Sequence, residues 1–293
     1  MELLVVGSTG MLGQSLMVEA RQRGAKVAGM ARNGAELTAD ITDDGLIRKI
    51  ICDLKPKVLI NTAALTDLSE CETRPERAYL INARAAGVLA ECCRITGTYF
   101  IQVSTDHYYT GDGQTKHSET DPVRLVNEYA RTKYAGEAFA LTNRASLVVR
   151  TNIIGFRHNR EKPTFVEWAI KTLRAGTDMT LFGDYFTSSV HVKQFSKILL
   201  DLLPHRPNGI LNIASSEVSS KQRLIIGIAN KLGYSLENCR EGKVNNGGGI
   251  PRAESLGLDV TKAEFLIGGQ MPSFEDVLQS IIDEYKETDC HEI

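Results

Sequence analysis

Tyr129 and Lys133 stand four residues apart in Asn127-Glu128-Tyr129-Ala130-Arg131-Thr132-Lys133, inside a stretch whose apolar spacing predicts a helix over residues 128–143. On a helix that spacing puts phenol and ammonium on one face. A free phenol titrates at about 10 and is a poor acid–base group at neutral pH, whereas a neighbouring ammonium favours the phenolate and brings it toward the working range. The pair suits proton delivery to a carbonyl oxygen. Such a spacing recurs by chance on amphipathic helices, and it gains weight here from Val103-Ser104-Thr105-Asp106, where a strand ends in hydroxyls that suit a reacting oxygen. The alternative is that Thr105 and Asp106 merely cap the following turn.

A second constellation lies at the start of the chain. Val5-Val6-Gly7-Ser8-Thr9-Gly10-Met11-Leu12-Gly13 places three glycines at intervals of three, between a strand and a helix. Glycine admits the turn dihedrals and lets a pyrophosphate approach the backbone, while the helix start offers free N–H groups. The spacing is GxxGxxG and not the commoner GxGxxG. Residues 7–13 (Gly7, Ser8, Thr9, Gly10, Met11, Leu12, Gly13) are therefore expected to hold a dinucleotide. Val27-Ala28-Gly29-Met30-Ala31-Arg32-Asn33, the second strand, carries no acid for a ribose 2′-hydroxyl but has Arg32, whose guanidinium suits a 2′-phosphate. NADP is expected ahead of NAD, with a solvated surface arginine as the alternative. Asp40 and Ile41 would meet the adenine, and Thr62, Ala63 and Ala64 end a strand with small residues where a cofactor can pass.

The elements that must position these residues alternate in period. Short β-branched runs at 3–6, 26–30, 58–61, 99–103 and 147–150 alternate with amphipathic stretches at 12–23, 43–54, 74–96 and 128–143. That is the pattern of a doubly wound parallel α/β sheet with its ligand crevice at the carboxyl ends of the strands. The second half is less regular, with helices near 164–174, 192–203, 221–232 and 273–286, a strand at 210–213 and a glycine-rich loop at 245–251. It implies a smaller α/β substrate-binding lobe. The expected division is 1–155 for the dinucleotide-binding domain and 156–293 for the lobe, with segments near 184–215 returning to the first.

The 293 residues suffice for two domains, and a composition of 42% hydrophobic and 24% charged residues is that of a globular protein. With 34 basic and 36 acidic residues the net charge is −2, which argues against nucleic acid or an anionic membrane as partner. Strand-like residues begin at Glu2 with no basic leader ahead of them, and no apolar run reaches the 18 or so residues of a membrane span, so a cytoplasmic location is expected. The six cysteines show no metal-ligand spacing and are expected as free thiols, and no metal is expected. Trp168, the only tryptophan, is expected to pack, and His191 to be structural.

These residues together resemble the extended short-chain dehydrogenase/reductases, and within them the dTDP-4-dehydrorhamnose reductase family. The likeness rests on the GxxGxxG loop, Asn61-Thr62-Ala63-Ala64, Ser104-Thr105-Asp106 and the Tyr-x-x-x-Lys-x-x-x-Glu pattern ending at Glu137, with weaker similarity at Arg150-Thr151 and 252–262. The resemblance implies that Thr105 bonds the substrate carbonyl, Tyr129 gives the proton, Lys133 holds the nicotinamide ribose and tunes Tyr129, and Asp106 orients the substrate. It implies an NADPH-dependent reduction of a nucleotide-linked 4-keto-6-deoxy sugar for surface polysaccharide. Arg252 resembles the basic residue that such enzymes aim at a substrate diphosphate, a surface salt bridge being the alternative.

Two positions depart from the family pattern. His107 stands where an aromatic follows Ser-Thr-Asp, and Ile153, beside Asn152, stands about where a tryptophan is usual, so contacts to the sugar are expected to involve His107, Asn152 and Ile153 in changed form. Two other readings remain open: a nucleotide-sugar epimerase or dehydratase that retains NAD, and a non-catalytic NADP-binding regulatory subunit. A homodimer is an open option for assembly.

Overall fold

The structure is a computed structural model that describes residues 2–159, 161–245 and 249–287. The chain forms two units, the first made of Met1–Thr105, Leu125–Arg150 and Ser196–Asn212, the second of Asp106–Arg124, Thr151–Phe195 and Ile213–Ile293. The chain thus crosses from one unit to the other several times, where the sequence suggested a main division near residue 155.

A seven-stranded parallel sheet organises the first unit, in the order Gly209–Asn212, Ser146–Arg150, Tyr99–Val103, Val58–Asn61, Leu3–Val6, Val27–Ala31, Leu37–Thr38. Parallel strands covered on both faces need apolar side chains in both directions, which is why Leu-Leu-Val-Val at 3–6 is buried throughout. Leu4, Val6, Met30, Leu59 and Phe100 meet Ile47 and Ile51 of the helix Asp44–Leu54 and Leu89 of Ala85–Thr96 in one core. The strand order reverses between Leu3–Val6 and Val58–Asn61. That switch point opens a crevice at the strand ends, and the glycine loop lies there.

In the first unit three elements depart from the sequence expectation. The helix expected over 74–96 is broken into Pro75–Tyr79, a π-helical turn Leu80–Arg84 and Ala85–Thr96. A short helix Leu68–Thr73 precedes them, capped by Asp67, whose side chain accepts from Glu70 N. The edge strand Leu37–Thr38 was too short for periodicity to reveal.

The second unit has a small sheet, Ser219–Ser220, Phe186–Thr187, Ser255–Leu258 and Lys116–His117, with the strand pairs Ile153–Ile154 to Val190–His191 and Met179–Phe182 to Cys239–Gly242. Its helices Phe165–Ala175, Lys221–Leu232 and Phe274–Glu287 bury Val166, Ile170, Ile225, Ile228, Leu278 and Ile281 together. Thr164 and Glu167 form a reciprocal capping box at the start of the first of these. Trp168 on that helix is 42% exposed and only tilts against Phe165, so the packing role expected for it is not what the structure shows. His191 is fully buried with Nε2 2.8 Å from Glu284, in keeping with a structural part.

Cys52, Cys71, Cys92, Cys93 and Cys239 are free thiols, and Cys290 lies outside the described residues. Among the described residues no cluster fit for a metal ion occurs, and no helix is long and apolar enough to cross a membrane.

Candidate active site

The glycine loop is shaped by close approaches that only glycine permits. Gly7 has φ +82°, and a Cβ there would come within 2.7 Å of Ala63 N. At Gly13 a Cβ would lie 2.2 Å from Gly7 O and 2.6 Å from Ser8 Cα, so the helix Met11–Gln22 can sit this close to its own loop only because residue 13 is glycine. Gly10 is different: a Cβ there would meet nothing nearer than Gly7 O at 3.3 Å. Space therefore exists in front of the helix start, where Gly10 supplies no side-chain cap and no acid lies in the first turn. N–H groups left without a cap beside open space fit the pyrophosphate of a dinucleotide.

Thr62 Oγ1 donates to Val6 O at 2.8 Å, tying the end of one strand to the next beside Gly7, with Ala63 and Ala64 half-buried after it. Asp40 is exposed and accepts from both N and Oγ1 of Thr42, bonds that hold its carboxyl below the ordinary range, with the charges of Arg32 and Arg77 adding to the effect. Ile41 is buried in the core with its side chain among Ile47 and its neighbours. Arg32 is exposed, with no hydrogen bond or ion pair to another described residue.

An acid does reach the second strand, from outside the stretch where it was sought. Glu36, just before Leu37–Thr38, accepts from Gly29 N at 2.9 Å and pairs with Arg21 at 2.5 Å. The pairing register Met30↔Leu37 carries it there, a long-range fact invisible in local sequence. Its oxygens are already engaged by the protein.

The helix Glu128–Ala140 begins where Asn127 caps Ala130 N at 2.8 Å. Gly136 allows this helix to touch the π-helical turn, since a Cβ would lie 2.2 Å from Asn82 O. Asn82 in turn bonds Thr132 Oγ1 at 3.1 Å and both backbone groups of Leu65. The π turn thus fixes the helix that carries Tyr129 and Lys133, a recurrent use of such turns near functional sites.

Lys133 is buried, and its Nζ donates to Val103 O at 2.8 Å. Burial pushes its pKa down to about 8, with the carboxylate of Glu137 opposing. Glu137, one turn along, accepts from Ser104 Oγ at 2.6 Å and from Arg150 Nη2 at 2.8 Å, with Arg150 Nε at 3.2 Å from both carboxylate oxygens. Glu137 and Arg150 are almost fully buried. One buried array therefore ties the strand end before Thr105, the helix of Tyr129 and the end of Ser146–Arg150. Thr105 is buried and Tyr129 half-buried. The sequence marked Glu137 only as part of a pattern. Its partners come from two other strands, and only the fold shows them.

In the second unit Asp106 is buried and accepts from Asn152 Nδ2 at 2.8 Å, while Asn152 Oδ1 accepts from Ser189 Oγ at 2.8 Å. His107 Nε2 lies 3.1 Å from Tyr185 Oη, and burial with the charges of Arg252 and Lys221 pushes its pKa down to about 4, so it is neutral. Ile153 is half-buried in its two-residue strand. Arg252 is exposed, and its backbone is held by Asn245 through a reciprocal pair of bonds at 3.0 and 3.1 Å. Tyr185 and Lys221 drew no attention in the sequence, because neither belongs to a motif.

A family model described as the RmlD substrate binding domain matches residues 1–287. The chain belongs to this family. It is 28% identical to the probable low-salt glycan biosynthesis reductase Agl14 of Haloferax volcanii over 96% of this chain and 97% of the relative. It is 33% identical to dTDP-4-dehydrorhamnose reductase of Streptomyces griseus over 62% of this chain and 58% of that protein. Among solved structures, dTDP-4-dehydrorhamnose reductase of Bacillus anthracis in complex with NADP superposes with a TM-score of 0.87 at 22% identity, covering 97% of this chain and all of the other. The Rossmann-type fold is thereby shared with RmlD-type proteins, and the relatives are reductases of sugar biosynthesis. Of the two positions expected to depart from the family pattern, the structure shows His107 engaged by Tyr185 and Ile153 half-buried in its short strand.

Proposed function

We propose that this RmlD-family chain is an NADPH-dependent reductase that converts the ketone of a nucleotide-linked 4-keto-6-deoxy sugar to an alcohol, serving surface polysaccharide synthesis. The observation that carries the reading is the buried array of Lys133, Glu137, Arg150 and Ser104, joined to the helix that also carries Tyr129. It places a desolvated ammonium one turn from a phenol, which is what a proton-donating tyrosine needs.

Residues 7–13 would hold the cofactor pyrophosphate through backbone N–H groups, with Thr62, Ala63 and Ala64 beside it and Asp40 and Ile41 toward the adenine. The solvent-facing Arg32 would take the 2′-phosphate, and Glu36, engaged by Arg21 and Gly29, leaves the ribose hydroxyl without an acid from this strand. When bound, NADPH supplies a hydride for the carbonyl carbon. Thr105 donates a hydrogen bond to the carbonyl oxygen, and Tyr129 transfers its proton to that oxygen, giving the secondary alcohol and a phenolate. Lys133, charged below a pKa of about 8 and held by Val103 O, would stabilise that phenolate and hold the nicotinamide ribose when the cofactor is bound. Asp106, steadied by Asn152, orients the sugar, with His107 and Ile153 alongside. Arg252 would meet the diphosphate, a task suited to a guanidinium.

A retained NAD would favour the epimerase or dehydratase reading, and the unpaired Arg32 speaks for an exchanging NADP instead. Retention of Thr105, Tyr129 and Lys133 speaks against a purely regulatory subunit. The test is incubation with NADPH and a panel of 4-keto nucleotide sugars. Loss of nicotinamide absorbance is expected with the wild type, and its abolition in Tyr129→Phe with NADPH binding intact. Unchanged turnover in that variant would remove Tyr129 as the acid.

A further inference from the structure

A buried chain of hydrogen bonds runs within the first unit from the strand end beside the glycine loop to Lys133, and the proposed reaction gives two of its members no part. Asn61 and Gln102 stand side by side at the carboxyl ends of Val58–Asn61 and Tyr99–Val103, in register and only 1% and 2% exposed. Asn61 Oδ1 accepts from Ala63 N at 3.1 Å, Asn61 Nδ2 donates to Gln102 Oε1 at 2.8 Å, and Gln102 Nε2 donates to Val103 O at 3.0 Å. The oxygen that closes the chain is the one to which Lys133 Nζ donates at 2.8 Å. Ala63, at the other end, stands against the glycine loop, since a Cβ on Gly7 would come within 2.7 Å of its N.

The chain has one direction. A backbone N–H at one end can only donate and a backbone carbonyl at the other can only accept, so neither amide can be turned around. Tyr99 N bonds Lys57 O, and in that phase one more step of the parallel ladder would join Ala63 N to Val103 O. The strand Val58–Asn61 ends before that step, and the two amides span the gap. An apolar pair would fill the same space and leave Val103 O wholly to the ammonium. With Gln102 in place, the two lone pairs of that carbonyl are shared between an amide and Lys133. The amide hydrogens, positive and aimed at the same oxygen, oppose the ammonium's attraction to it. Burial and the charge of Glu137, itself paired with Arg150, also act on Lys133, and Tyr129 lies one turn away on the same helix.

Resting on the reductase reading above, we propose that Gln102, oriented by Asn61, is a positioning residue for Lys133: it fixes the Val103 carbonyl and takes up part of its accepting capacity, so that the ammonium is steered without being captured and keeps donors for the phenolate and the ribose.

The test reads Lys133 directly, by NMR of protein labelled at lysine Cε and titrated from neutral to alkaline pH, with the Lys133 signal identified by its loss in Lys133→Met. In Gln102→Met the ammonium has Val103 O to itself, so Lys133 should titrate about one pH unit higher than in the wild type. The kcat for the 4-keto sugar should fall about tenfold with KM for the sugar unchanged, and its alkaline limb should move up with the lysine. Asn61 Nδ2 loses its acceptor in that variant, which lowers stability. Asn61→Leu combined with Gln102→Met removes the stranded amide too and should regain stability while Lys133 and the alkaline limb stay displaced, which separates position from folding. A Lys133 that titrates as in the wild type in both variants, or lower, would overturn the proposal, as would a kcat that recovers together with the melting temperature in the double variant. A displaced Lys133 in a protein that reduces no 4-keto sugar upholds the positioning and overturns the reductase. Reduction by a wild type whose Lys133 does not respond to Gln102→Met does the reverse.

Discussion

Replacing Glu137 by glutamine keeps its size and an acceptor oxygen but removes the charge that Arg150 and Lys133 share. Glu137 and Arg150 meet at 2.8 Å with side chains 2% and 3% exposed, so solvent screens neither. Removing one partner of such a buried pair costs about 3–5 kcal/mol, a large part of the 5–15 kcal/mol that holds an ordinary domain together. At roughly 2–4 °C per kcal/mol for a chain of this order, the melting temperature should fall by about 10 °C. The same substitution acts on Lys133. Burial lowers its pKa to about 8 and the Glu137 charge opposes that fall, so the variant's Lys133 should titrate lower by about one unit. A lysine is charged below its pKa, so activity that needs the ammonium is lost as pH rises through that value. The alkaline limb of kcat should therefore move to lower pH in Glu137→Gln. NADPH consumption across the pH range and a thermal melt measure both effects. A melting temperature that falls while the alkaline limb stays in place, or moves upward, would refute the coupling of Glu137 to Lys133.

Gly13→Ala should abolish NADPH binding and lower stability, because the new Cβ would meet backbone atoms of Gly7 and Ser8 at 2.2–2.6 Å; fluorescence titration with NADPH checks it. Arg32→Ala should weaken NADPH much more than NADH, and equal weakening would take Arg32 out of the phosphate site. Lys221 has a pKa lowered from 10.5 to about 8, so its charged form destabilises the fold below that value and the cost is relieved as pH rises from 8 toward 10. Urea unfolding should accordingly show Lys221→Met more stable than the wild type at pH 7, by an amount that shrinks toward pH 10. A gap independent of pH would contradict this.

The dinucleotide half of the protein was legible because its signals are local. Three glycines after Leu3–Val6, the strand runs and the spacing of Tyr129 and Lys133 each report on a few neighbouring residues, and the parallel sheet follows from their alternation. What sequence reading missed is long-range. Glu36 reaches Gly29 only through strand pairing, and the π turn at Leu80–Arg84 looks like unbroken helix because its side-chain pattern is that of the helices around it. The array around Glu137 joins residues from a helix and two strands. The second unit was read only coarsely, since its two-residue strands carry no periodicity, and Lys221 looked like an ordinary polar residue at a helix start until its burial was seen. Trp168 misled for the opposite reason: its size suggested core, and the helix turns it outward.

The most direct test of the central claim follows the hydride itself. Wild-type protein is incubated with 4-deuterated NADPH and a nucleotide-linked 4-keto-6-deoxy sugar, and the product is read by mass spectrometry and NMR. The account predicts one deuterium on the carbon that was the ketone, with oxidised NADP in equal amount and no transfer in Tyr129→Phe. A sugar that is epimerised or unchanged while the nicotinamide stays reduced would contradict it.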